Sequence, residues 1–268
     1  MYYLDKMLNQ PVVIIDSGVG GLPYLKDIRK SLPLENYIYV ADTAHFPYGD
    51  KSEEELNQVV LDLVTHVTQK WNPKLLLVAC NTASVSSLKV LRDHFSYPIV
   101  GVVPAVKPAA KQSKNRIGVL ATKATVKASY VDRLIVDFAS DKEVIKVGAG
   151  DIVKAVEQRY LNEVKVLENV VYESLRPFTN SGIDTLVLGC THFLHVKDLI
   201  SDSLGSSVKV IDSCEGVTKQ VHCVLNKERK LNNKKTDKDF FITTSSVDHN
   251  QYDGFLKEFQ LTWGEALC

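Results

Sequence analysis

The sequence predicts an α/β fold of two pseudo-symmetric units, each a mainly parallel sheet flanked by helices, with a ligand cleft between them. Three observations predict it. Short apolar, largely β-branched runs lie at 12–15, 37–40, 75–79, 99–103, 117–120, 144–147, 185–188 and 208–211. They are continuous rather than alternating in polarity, as in parallel strands covered on both faces. Longer amphipathic stretches at 23–31, 52–71, 84–94, 126–138, 152–178 and 217–227 fall between them, and strand–helix alternation implies crossover connections in a parallel sheet. Finally, the pattern repeats. The run at 12 recurs at 117, the run ending at Cys80 recurs ending at Cys190, and the run at 99 recurs at 208, an offset of about 105–110 residues throughout. A constant offset over successive elements suggests two similar units.

In an open parallel sheet, ligands bind beyond the carboxyl ends of the strands. Asp16, Ser17, Asp42, Cys80, Thr122, Cys190 and Asp212 all fall at such ends. Two facing units would bring them into one cleft.

The first strand leads into a glycine-rich turn, Asp16-Ser17-Gly18-Val19-Gly20-Gly21. It is neither Gly-x-Gly-x-x-Gly nor a phosphate loop ending in Lys-Ser/Thr. Its small residues would let backbone close on a small anionic ligand. Asp16 is open to three readings: proton transfer, the orienting of an ammonium group, or the capping of the following helix. Next, Phe46-Pro47-Tyr48-Gly49-Asp50-Lys51-Ser52 reads as a loop entering a helix capped by Ser52. Tyr48 and Gly49 are ligand candidates or plain loop.

Cys80 closes its strand and precedes a helix start at Asn81 to Ser84. A helix N-terminus favours an anion and lowers a thiol pKa. Alone, Cys80 is a thiolate base, a nucleophile, a metal ligand or core packing. Its counterpart Cys190, in the same setting, favours a catalytic pair. His192 would tune or protonate near Cys190, or merely bond to backbone. No close ligand spacing supports a metal site.

Size and composition set the remaining bounds. The 268 residues are 45% hydrophobic and 24% charged, with 32 basic and 32 acidic side chains. No bulk charge points to nucleic acid or an anionic membrane. The first ten residues lack a signal-peptide core, and no apolar run reaches the roughly 18–20 residues of a membrane helix. A cytoplasmic protein is expected. Five cysteines, widely spaced and without Cys-x-x-Cys, argue against a disulfide framework or zinc knuckle. Residues 226–238 carry six basic and two acidic side chains and read as a solvated linker.

Taken together, these motifs make the chain resemble the glutamate racemases of the cofactor-independent aspartate/glutamate racemase superfamily. The resemblance rests on Ile15 to Leu22, Ala41 to Ser52, Ala79 to Ser84, Gly101 to Pro108, Gly118 to Thr125 and Val187 to Phe193. The tail, 239–244 and 255–259, resembles the family's closing strand and helix, and the resemblance implies a discontinuous first domain, 1–99 with 210–268, and a second domain, 100–209. The resemblance implies Cys80 and Cys190 as two acid/base thiols, Cys80 acting on the D-isomer and Cys190 on the L-isomer, with Asp16 and His192 assisting. It implies substrate positioning by Asp16, Ser17, Tyr48, Gly49, Asn81, Thr82, Thr191 and His192, and by Thr122. It also implies glutamate as the small-molecule partner, no cofactor such as pyridoxal phosphate, D-glutamate supply for peptidoglycan, and a possible homodimer.

The chain departs from the family pattern in three places. A Cys-Pro pair is missing near Ala149-Gly150, where Glu157 is a candidate auxiliary glutamate. Leu194-His195 replaces Pro-Leu. Asp212-Ser213-Cys214-Glu215 replaces Asp-Ser-Gly-Glu, which makes Cys214 an idiosyncratic thiol rather than a catalytic one. An aspartate or other amino-acid racemase, a non-catalytic amino-acid-binding protein and a nucleotide-binding α/β enzyme are the competing readings. Because Asn81 follows one thiol and Thr191-His192 the other, the half-sites should differ in proton affinity, and the two directions need not share one pH profile.

Overall fold

The computed structural model describes residues 10–267; residues 1–9, part of the stretch read for a signal core, and Cys268 lie outside them. The described strands form two all-parallel sheets. The first has the order β10-β9-β2-β1-β3-β4, built from β1 (Val12–Asp16), β2 (Tyr37–Ala41), β3 (Leu75–Val78), β4 (Ile99–Gly101), β9 (Phe240–Thr243) and β10 (Thr262–Trp263). The second has the order β6-β5-β7-β8, from β5 (Arg116–Ala121), β6 (Glu143–Gly148), β7 (Thr185–Gly189) and β8 (Lys209–Ile211). Strands one to four and five to eight thus take the same order. The repeat in the sequence is a repeat of topology, to which the first sheet adds β9 and β10 beyond β2.

Alternate residues of β1 enter different cores. Val12 and Ile14 pack into a cluster with α1 (Leu22–Ser31) that runs on to Leu186, Leu188 and Phe193 of the other unit. Val13 and Ile15 face α2 (Glu53–Trp71) and α3 (Asn81–His94) on the opposite side. Burial of both faces explains the unbroken apolar runs. A third cluster joins α4 (Val106–Gln112) to Ile117, Val119 and Val187.

Several helices differ from expectation. The stretch at 126–138 is two helices, α5 (Lys123–Lys127) and α6 (Ser129–Ala139). The long stretch at 152–178 breaks into α7 (Gly150–Glu157), α8 (Val164–Leu175) and a short 3₁₀ turn. Sequence periodicity carried no sign of these breaks. Helices α4 and α9 (Lys197–Leu204) were not expected, being short. Two more helices follow, α10 (Cys214–Lys227) and α11 (His249–Phe259). The strand at 144–147 is not buried: β6 is the edge of its sheet and half of it faces solvent.

Residues 226–229 and 233–238 are exposed, as expected of a solvated linker, but the segment is tethered to the first sheet at several points. Asn36 bonds to Thr236 and to the amides of Thr236 and Asp237. Lys74 is fully buried, pairs with Glu35, and donates to the Lys230 carbonyl and Asn232 Oδ1 at 2.7 Å each. Burial, the dominant effect, lowers the Lys74 pKa against the opposing pull of Glu35. Among the described residues, no helix is long and apolar enough to cross a membrane.

Candidate active site

The carboxyl ends of β1, β3, β5 and β7 converge on a cleft of about 130 Å³ between the two sheets. Ser17, Tyr48, Gly49, Cys80, Asn81, Thr82 and Thr122 line it together with Cys190, Thr191 and His192. Cys80 follows β3 and Cys190 follows β7, the topologically equivalent strands. Each cysteine ends its strand in extended backbone and precedes a helical turn, α3 after Cys80 and a 3₁₀ turn after Cys190. The two thiols therefore reach the cleft from opposite units.

Their partners differ. Asp16 lies beneath the cleft rather than on its lining, wholly buried. It does not cap a helix. One carboxylate oxygen accepts the Ser17 amide at 2.7 Å and the other accepts the Thr191 hydroxyl, across the cleft, at 3.0 Å. Burial raises its pKa to about 6, against the lowering effect of the His192 charge and these hydrogen bonds. Cys80 shares a hydrogen bond with Asp16, and its thiol is held well above the usual range, first by burial and then by the Asp16 charge. This corrects the expectation from helix position. The Ala83 amide at the start of α3 does favour the thiolate, but it is outweighed.

On the other side, His192 is part of a relay. Its Nε2 donates to Glu157 Oε1 at 2.7 Å, and it shares a hydrogen bond with Cys190. Burial opposes its charge, but the Cys190 bond, the bond and charge of Glu157 and the charge of Asp16 prevail, raising its pKa well above the ordinary value. His192 is thus an imidazolium clamped between a carboxylate and a sulfur. Glu157, at the end of α7, also accepts the Val19 amide at 2.7 Å.

The glycine-rich turn serves this relay. A Cβ on Gly18 would strike the Glu157 carboxylate, and one on Gly20 would strike His192 and the Thr191 hydroxyl. The glycines make room for side chains of the other unit, not for a phosphate.

Asn81 has both side-chain polar atoms buried without a protein partner, on the cleft wall. An orphaned buried amide costs free energy unless something bonds to it, and its donor and acceptor suit a zwitterion. Across the cleft, the Thr82 and Thr122 hydroxyls bond at 3.0 Å, tying α3 to the N-cap of α5. Tyr48 is buried and donates to Asp42 at 2.6 Å. Asp42 therefore stands behind the cleft wall. Asp212 lies elsewhere as well: with Cys214 it lines a separate hollow beside Lys197. The rim carries Asp50, Lys123, Asp151 and Lys154, all exposed. Sequence reasoning did not pick them out, because exposed charges carry no signal of their own.

This geometry agrees with what similarity to known proteins finds. Residues 24–221 match the family model described as Asp/Glu/Hydantoin racemase. The chain belongs to that racemase family. A glutamate racemase of Shewanella frigidimarina is 45% identical over 226 residues, covering 84% of this chain and 87% of that protein. The crystal structure of Escherichia coli glutamate racemase, in complex with L-glutamate and an activator, superposes with a TM-score of 0.88 at 35% identity, covering 97% and 98% of the two chains. The Francisella tularensis glutamate racemase in complex with D-glutamate gives 0.81 at 26% identity, with the same coverage. These relatives place the chain among isomerases and bear out the two-sheet α/β fold.

Proposed function

We propose that the protein interconverts L- and D-glutamate by moving the α-proton between two thiols. The observation that carries this reading is the pair of cysteines on equivalent strands of two facing units, each with its own proton partner. Kinship with glutamate racemases at 45% identity supports glutamate as the substrate.

Asn81 takes the amino-acid head group with its unpaired amide. Ser17, Tyr48, Gly49, Thr82, Thr122 and Thr191 complete the wall that orients it. With the α-carbon between the sulfurs, one cysteine removes the α-proton while the other delivers one from the opposite face. The charge pattern sets the starting roles. Cys80 is held as a neutral thiol, the acid. The His192 imidazolium compensates negative charge on Cys190, the base. In this form the enzyme takes L-glutamate. For D-glutamate the roles swap: Asp16, ionised above pH about 6, accepts the Cys80 proton, the His192 imidazolium gives one to Cys190, and Cys80 then removes the α-proton while Cys190 returns one to the other face. Glu157 keeps His192 charged and oriented. Each positioned acid or base contributes typically ~10²–10⁴-fold, and the buried setting strengthens every one of these interactions. The resemblance further implies D-glutamate supply for peptidoglycan, a cytoplasmic setting and a homodimer; these belong to the same proposal.

The test is racemisation of L-glutamate without added cofactor, followed by circular dichroism at fixed wavelength. Cys80→Ala and Cys190→Ala should each abolish turnover while leaving the far-ultraviolet spectrum intact. Near-normal turnover in either variant refutes the two-thiol reading. In deuterated water, early D-product should carry deuterium while recovered L-substrate carries little. Equal early labelling of both isomers would indicate a single base instead. Turnover of aspartate in place of glutamate would reassign the substrate.

A further inference from the structure

The segment after the Cys190 motif holds a group the mechanism above does not use. His195 lies in the same 3₁₀ turn as His192, facing the first unit. Its Nε2 donates to the Val19 carbonyl at 2.9 Å. Its Nδ1 accepts from Arg159 Nη1 at 3.2 Å. Because a guanidinium can only donate, these bonds require the neutral ring with its proton on Nε2. Burial, then the Arg159 charge, lowers its pKa to about 3, so it remains neutral at working pH.

Both ends of this bridge are anchored. Arg159 pairs with Glu258, donates to the Tyr160 hydroxyl at 2.8 Å and sits 4.6 Å over the Phe255 ring. Phe255 and Phe259 of α11 meet the His195 ring edge to face at 5.6 and 5.7 Å. At the other end is Val19, fully buried. The carbonyl of Val19 takes the His195 bond, while its amide donates to Glu157. On either side of it are the two glycines that press against Glu157 and His192.

We propose that His195 is a positioning residue: by gripping the Val19 carbonyl it holds the Gly18-Val19-Gly20 turn in place, and through the Val19 amide it keeps Glu157 in line with the His192 ring. This extends the racemase reading to a residue that touches neither thiol nor substrate. The groups facing His192 are Glu157 from α7, Asp16 from β1 and its neighbour Cys190. Those facing His195 are Arg159 and His192, with Glu258 on the far side of Arg159. Since His195 does not titrate at working pH, its influence on His192 is geometric.

The experiment is a titration of the full chain labelled with ¹⁵N-histidine, by NMR without substrate, with steady-state kinetics alongside. In His195→Leu the Val19 carbonyl loses its donor. The His192 midpoint should fall by about one pH unit as Glu157 loosens, and kcat should fall about tenfold with KM within about twofold. In His195→Gln the amide can donate to Val19 and accept from Arg159, and both values should return toward wild type. An unchanged His192 midpoint in the Leu variant overturns the proposal, as does a Gln variant as impaired as Leu. Should the Leu variant fail to fold, Arg159→Met replaces it. It keeps apolar contact with Phe255 but releases the His195 ring, and the His192 midpoint should again fall; no change overturns the proposal. A wild-type chain without racemase activity would count against the proposed function alone, because the titration is read without substrate.

Discussion

Asp16→Asn should make the protein more stable and nearly inactive at once. The Asp16 carboxyl is wholly buried and its pKa rises from 3.8 to about 6, so the folded state binds this proton more tightly than the unfolded chain does. Ionisation therefore opposes folding. The penalty begins as pH rises past 3.8 and is complete above about 6. Its full size is about 2 pKa units, or about 3 kcal/mol. Asparagine keeps the shape, still accepts the Ser17 amide, and can donate to the Thr191 hydroxyl. Its advantage over wild type should grow by about 1–2 kcal/mol between pH 5 and pH 8. Losing the charge also removes one of the influences that hold up the Cys80 thiol, so Cys80 should ionise at lower pH. Activity should nonetheless fall ~10²–10⁴-fold, because the Cys80 proton loses its acceptor. Urea unfolding at both pH values, thiolate absorbance and racemisation on the same samples would check this. A stability difference that stays flat or shrinks from pH 5 to pH 8 refutes the linkage argument, and retained turnover refutes the role of Asp16.

Other expectations follow from the same geometry. Glu157→Gln should lower the His192 pKa and kcat and destabilise the fold by roughly 3–5 kcal/mol at pH 6. Because the folded pKa of His192 is raised, that loss should fade as pH climbs through it, which unfolding at pH 6 and pH 10 would show. Gly18→Ala should leave the chain folded, since its collision is with the far end of a flexible side chain, yet reduce kcat as much as Glu157→Gln does. The double variant should be no worse than either single one; additive losses would separate the two residues. Lys74→Met leaves Glu35 buried without its cation and should cost about 3–5 kcal/mol in urea unfolding. Lys74 sits at the opposite end of β3 from Cys80, so activity per folded molecule should not change.

The elements that position the thiols were legible because their signals are local. Continuous apolar runs gave the eight expected strands, and the setting of Cys80 recurring at Cys190 anticipated equivalent places in two sheets of one topology. What stayed hidden depends on contact between distant segments. Glu157, an auxiliary candidate from the resemblance alone, stands at the end of a helix that periodicity fused with its successor, and only packing shows its partners, the Val19 amide and His192. The glycine turn looked like a ligand loop because a glycine shows small size without showing what occupies the space. Helix position alone predicted a lowered Cys80 pKa, while burial and Asp16, sixty-four positions away, act the other way. The charges of 226–238 suggested solvent exposure, and most are exposed, yet Asn36 and Lys74, just before β2 and β3, tie the segment down between them.

The unequal partners of the two sulfurs bear on how the catalyst resets. Mirror-image amino acids have equal free energy in water, so kcat/KM must be the same for both isomers at every pH, whatever Asp16 and His192 contribute. Only kcat and KM taken separately can show the asymmetry. On the proposed mechanism, a turnover that starts with Cys80 protonated ends with the proton count reversed: Cys80 has given its hydrogen away and Cys190 has gained one. Before the next molecule of the same hand can react, that proton must travel back, either through solvent or on a molecule of the opposite hand. The proposed enzyme would thus keep a record of the isomer it last released. On that mechanism, erasing the record is a step separate from breaking the carbon–hydrogen bond, and it weighs most when substrate is plentiful.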